Sequence, residues 1–242
     1  MVFFSKHGGI RLNLIGFLLG SAVILLLQFY PGVQAAPDNS CQITATDLEQ
    51  ASNTVALLHS TLISVMQDAK QLGYSGRYEK LTPVVSDNFD TPLITKTILG
   101  NRYWDTMPDQ QKQDFIRLFQ QLSIATYADR FDGYNGEKFV ELDRKALPMH
   151  GRCPPPAGKE PPAQRILVRT ELQRVHDDPV KMDYLLQKTG GKWDIITVIA
   201  DGVNDLSLKR GEYNDVIRHK GFNGLVEDLK TKIKNMENGK KE

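Results

Sequence analysis

The 242-residue chain balances 30 lysines and arginines against 29 aspartates and glutamates, a formal charge of +1 at pH 7. Nucleic acid demands a concentrated basic footprint, so near-neutrality argues against a nucleic-acid partner. The length suffices for one ample domain or two small ones with a sizeable core.

"MVFFSKHGGIRLN" carries Lys6 and Arg11 and no acid, "LIGFLLGSAVILLLQFY" is a long apolar run, and Val33 and Ala35 stand at −3 and −1 of a small-residue cleavage pattern. That order predicts a signal peptide over residues 1–35, cut after Ala35, and a periplasmic location. An uncleaved anchor is the alternative, because 17 apolar residues approach the lower limit for a spanning helix. "PDNS" before Cys41 lacks the lipoprotein pattern. Removing those 35 residues, with two bases and no acid, leaves 207 residues at a formal charge of −1. Cys41 and Cys153 both remain. In an oxidising compartment such a pair points to one disulfide, with two free thiols as the alternative. With no histidine array beside them they are not a zinc site, and no metal is expected.

The first predicted element is a long amphipathic helix with Thr46 and Glu49 at capping-box spacing and Gly73 at its end. Leu48, Val55, Leu58, Leu62, Val65, Met66 and Ala69 recur along it every three or four residues. A shorter helix, "RYEKLTPVVSDNF", puts Tyr78, Leu81, Val85 and Phe89 on one side. Asp90 then caps "TPLITKTILG", with Pro92 early and Gly100 after the end. "TMPDQQKQDFIRLFQQLSIATYADRF" repeats the pattern, with Thr106 as cap, Pro108 in the first turn, and Phe115, Leu118, Phe119, Leu122 and Thr126 as the buried stripe.

After "DGYNG" the period changes to that of strands: "EKFVEL", "QRILVRTELQRV", "KMDYLLQK" and "KWDIITVIA". The "HDDP" and "TGG" turns make neighbours antiparallel. Residues 148–162 hold six of the twelve prolines and form a loop, either a surface loop pinned by Cys153 or a partner-binding polyproline segment. Residues 210–236 return to helix, and 237–242 form a flexible lysine-rich tail. The order is that of an α+β single domain.

No catalytic constellation stands out. His59, His150, His176 and His219 form no metal-ligand pair, "GYSG" lacks nucleophile-elbow spacing, and no glycine-rich phosphate loop occurs. Asp194, Asp201, Asn204 and Asp205 resemble a carboxylate cluster but sit at the ends of a strand, where such residues serve turns. The strand between them is apolar on both faces, with Trp193, Ile195, Thr197 and Ile199 expected one way and Ile196, Val198 and Ala200 the other. Such a sheet encloses either a plain core or an apolar cavity.

"GRYEKLTPVVSDNFD", "TILGNRYW", "QQKQDFIRLFQQLSIATYADRFDGYNGE", "WDIITVIADGVNDL" and "RGEYNDVIRHKGFNGLVEDL" follow in an order and spacing that resembles the toluene-tolerance or MlaC family of periplasmic lipid-binding proteins. The resemblance runs from about Thr46 to Ile233. "ATYADRFDGYNGEKF" and "PVKMDYLLQKTGGKW" are similar to its hopanoid-associated, HpnM-like branch. The resemblance implies helices packed on a small twisted antiparallel sheet around an apolar cavity, with residues 36–242 as one lipid-binding domain. It implies no cofactor and no catalytic residue. It also implies a shuttle that carries hopanoid or phospholipid between membranes, with the membrane-bound components of an ABC-transporter-associated lipid transport complex as partners. Carried over by position, the lipid-binding residues are Phe89, Leu99 and Trp104, then Phe115, Phe119, Leu122 and Tyr127. The strands contribute Val168, Tyr184, Trp193, Ile195 and Ile199, and the closing segment Val203 and Tyr213, with Arg210 carried over beside them. The proline-rich insert and the polar "VNDLS" corner depart from the family pattern and bear on the mouth of the cavity. The rival readings are an enzyme that modifies hopanoid or other lipid side chains, and an interaction scaffold that uses the proline loop and binds no lipid.

Overall fold

The computed structural model describes residues 41–240. The expected signal peptide and the last two residues of the tail lie outside the described residues.

Helix α1 (Ala45–Gln67) starts where the Thr44 hydroxyl accepts from the Asp47 N–H while the Asp47 carboxylate accepts from the Thr44 N–H. The capping box is therefore Thr44 and Asp47, two residues before the expected Thr46 and Glu49. The helix also stops early, at Asp68. Helix α2 (Ala69–Asn88) is interrupted at Gly73, whose φ of 60° and ψ of −172° only glycine adopts without strain. Asp90 caps α3 (Thr91–Leu99) by accepting from the Leu93 N–H, and Gly100 closes it with φ of 74°. The short α4 (Asn101–Trp104) leads to α5 (Asp109–Arg130), whose cap position is Pro108. Thr106 does not cap α5; its hydroxyl donates back to the Arg102 and Tyr103 carbonyls.

Strands β1 (Lys138–Ala146), β2 (Arg165–Gln173), β3 (Val180–Thr189), β4 (Lys192–Ala200) and β5 (Val203–Asn204) form one antiparallel sheet in chain order. A charged face on β1 guards its edge, where Arg169 clamps Asp143 with two hydrogen bonds. Helix α6 (Asp205–Glu237) closes the chain and breaks at Gly221. The described residues thus hold six helices packed with a five-stranded antiparallel sheet, the α+β single domain expected.

The alternation expected for β4 does not hold along its length. Leu185 pairs with Thr197 and Leu186 with Ile195, so Ile196 is an extra residue on β4. A bulge of this kind flips the side-chain parity beyond it. Val198 therefore joins Trp193 and Ile195 against the core, while Thr197 and Ile199 turn to the other face.

Two cores result. In the first, Val55, Leu58 and Leu62 of α1 and Leu81 and Val85 of α2 meet Ile166, Val168, Tyr184, Leu186, Trp193 and Ile195 of the sheet. In the second, Ile98 and Leu99 of α3 and Phe115, Phe119 and Leu122 of α5 meet Tyr213, Ile217, Leu225 and Leu229 of α6. Each buried aliphatic side chain stabilises by roughly 1.5–3 kcal/mol before conformational entropy is set against it. Outside both cores, Cys41 and Cys153 form a disulfide with Cα atoms 6.0 Å apart, tying the segment before α1 to the proline-rich loop.

Candidate functional site

The two cores meet along a seam. At the end of α2, Phe89 bridges to Ile195, and the next N–H, of Asp90, donates 3.1 Å to the Ile195 carbonyl. Phe89 packs against both cores, as do Tyr74 and Tyr78. Its ring lies 6.0 Å from Tyr127, which in turn stacks on Phe131 at 5.8 Å. Burial pushes the Tyr127, Tyr184 and Tyr213 phenols up, so these side chains are neutral apolar bodies with a polar tip.

Of the fourteen apolar and aromatic residues carried over for lipid binding, Val168, Tyr184, Trp193 and Ile195 lie in the first core, with Tyr127 packed on it. Leu99, Phe115, Phe119, Leu122 and Tyr213 lie in the second, with Trp104 packed on it, and Phe89 touches both. Ile199 faces away from both cores. Val203 is 50% exposed at the corner before α6. Arg210 is exposed beside Gly100.

The corner acids have turn and pairing roles. The Asp201 carboxylate accepts from the Lys181 N–H at 2.9 Å, and Asn204 caps α6 by accepting from the Ser207 N–H. Asp194 pairs with Lys192 at 3.1 Å and Asp205 with Lys209. No group of three or more metal-ligating side chains is assembled among the described residues.

Two polar arrangements escaped the sequence reading. At one end of the sheet, the Asp47 carboxylate accepts from the Trp193 indole N–H at 3.1 Å and from Lys188 at 2.7 Å. Burial pushes this carboxyl up, but the hydrogen bonds from Lys188, Thr44 and Trp193 outweigh it and hold the group well below the usual carboxylate range. A threonine three residues before an acid was the legible signal for Asp47; nothing nearby in sequence announces Lys188.

The second arrangement is a cleft of about 440 Å³ between α1 and the β1 and β2 strands. Val55, Ala56, His59, Ser60, Ile63, Ser64 and Gln67 contribute from the helix, and Phe139, Glu141 and Thr170 from the sheet. A smaller hollow of about 330 Å³ lies on α6, near Glu212, Asp228 and Lys232. None of the fourteen carried-over residues lines either. In the larger cleft the His59 ring stacks on Phe139 at 3.8 Å, and its Nε2 lies 3.0 Å from the Tyr184 hydroxyl.

Burial pushes the His59 imidazole down from its ordinary 6.5 to about 3. The unfolded chain therefore takes up the proton first, so stability is full above pH 6.5 and drains as the pH falls toward 3. Asp47, whose folded value is depressed, loses its contribution only below 3.8. Between pH 6.5 and 4 we expect a loss of roughly 3 kcal/mol through His59. Thermal unfolding across that range should show it, and His59→Gln, which keeps a partner for Tyr184, should flatten the profile.

A solved phospholipid-binding protein from Ralstonia solanacearum, in complex with a phospholipid, shares this fold with a TM-score of 0.60 at 19% identity, over 77% of this chain and 98% of its own. The family model of the MlaC protein matches residues 58–231, from the middle of α1 to the last turns of α6. With that match spanning well over half of its length, the chain belongs to the MlaC protein family.

Proposed function

We propose that this protein is a periplasmic lipid carrier that shuttles a membrane lipid between membranes. The observation that carries the reading is the family match over most of the described fold, joined to a fold shared with a phospholipid-bound protein. The aromatic seam of Phe89, Tyr127, Tyr184 and Trp193, with the carried-over residues that pack in the two cores, is the surface offered to lipid tails. Similarity to the HpnM-like branch favours hopanoid over phospholipid as cargo. The partners are membrane-bound components of a lipid transport complex, and residues 1–35 are the leader that directs the chain to them.

Such a protein works by solvation, without bond making. Exposing about 30 apolar carbons to water costs on the order of 20 kcal/mol at roughly 0.8 kcal/mol per methylene. A carrier must match the bilayer closely, since a much better site would never release its cargo.

Purified from a lipid-producing host and extracted, the protein is expected to yield a stoichiometric membrane lipid by mass spectrometry and to begin at Ala36. Lipid-free protein that also takes up none from vesicles would overturn the reading. Deleting residues 154–162 separates it from the scaffold alternative, because a carrier keeps its lipid uptake without that loop.

A further inference from the structure

The cleft between α1 and β1 has a polarity that bears on the cargo. Val55, Ile63 and Phe139 give it an apolar body; the Ser60 and Thr170 hydroxyls donate to the Leu57 and Met182 carbonyls and so offer lone pairs, while the Ser64 hydroxyl, which accepts from Lys80, and the Gln67 amide can still donate. Its size lies in the range of small-molecule sites.

The charges at the cleft are already matched. Glu141 is the one carboxylate in the lining, and no lysine or arginine lines it. Glu141 accepts from the Ser52 hydroxyl and pairs with Arg144 at 3.6 Å. From α2, Lys80 reaches the Ser64 hydroxyl at 2.8 Å but pairs with Asp68 at 3.0 Å. Arg144 and Lys80 thus each face a carboxylate. The remaining basic candidate, His59, is neutral at pH 7 because burial pushes its imidazole down. A phosphate entering here would be desolvated beside Glu141 with no lysine or arginine in the lining to receive it. A hydroxyl group would exchange hydrogen bonds with water for hydrogen bonds with serine, threonine and amide groups, at little electrostatic cost.

We propose that this cleft holds the polar end of the carried lipid, and that this end is an uncharged, hydroxyl-bearing group instead of a phosphate. The proposal rests on the carrier reading and narrows it to one class of amphiphile.

The test compares two probes with identical tails. The secreted protein, stripped of lipid, is offered dioleoylglycerol or dioleoyl phosphatidic acid in neutral vesicles, and loading is measured by mass spectrometry. Dioleoylglycerol is expected to load with about tenfold higher affinity. Ala56→Trp, at an exposed position on the lip, is expected to abolish that loading without lowering the melting temperature. Glu141→Lys is expected to shift the preference toward phosphatidic acid, a readout that a general loss of stability would not produce. Equal loading, or preference for phosphatidic acid by the unaltered protein, would overturn the inference and leave the carrier standing. Unchanged loading of Ala56→Trp would remove the polar end from this cleft. If neither probe loads and vesicles of total lipid from the producing host load none either, the carrier reading falls with it.

Discussion

Replacing Ile195 by Asp is expected to lower the unfolding free energy by more than about 4 kcal/mol, enough to unfold a domain of ordinary stability. Ile195 is fully buried, paired with Leu186 on the sheet and packed in the core that α1 and α2 cover. Its backbone carbonyl also holds the Asp90 N–H, so a displaced β4 would pull away the start of α3. A carboxylate there loses the apolar transfer energy and must either stay desolvated or take up a proton. Denaturant unfolding measures the effect. Val203→Asp is the control: both residues were carried over as lipid-binding, but Val203 is half-exposed, and its change should stay within about 0.5 kcal/mol. If the two substitutions cost the same, the packing of β4 described above is wrong.

Cys153→Ser should cost about 4–5 kcal/mol in the chain-entropy model, because the bridge closes a loop of 112 residues. For a domain of this size that corresponds to a melting temperature lower by roughly 10 °C or more. Cys41→Ser should give the same shift, and the double substitution no more than either, since both remove one bond. A shift below about 2 °C, or additive single effects, would contradict the constraint. Thiol labelling of the denatured, unreduced protein should likewise find no cysteine.

The helical half was legible because its signals are local. The apolar spacing from Val55 to Leu62 and from Phe115 to Leu122 places those residues in cores, and the Asp90 cap forms as its spacing implies. The first helix shows where local signals stop. "TATDLEQ" offers two threonine–acid pairs at capping-box spacing, Thr44 with Asp47 and Thr46 with Glu49. Asp47 takes the role while its carboxylate is also held by Lys188 and Trp193, 141 and 146 positions further on. No window around residue 45 contains those partners.

The candidate site was legible as a set of residues and not as a place. Order and spacing of short motifs identified the family, and the changing hydrophobic period identified the α+β class, because both are properties of the chain read along itself. Tertiary structure decided the rest. It set Phe89 against Ile195 and Tyr127, and divided the carried-over residues between two cores. It turned Ile199 away from Trp193 through one extra residue in β4. It also built a cleft from His59, Phe139 and Glu141, which no spacing connects. The reason is physical: periodicity records which faces must leave water, whereas pairing register and packing choose which buried faces meet.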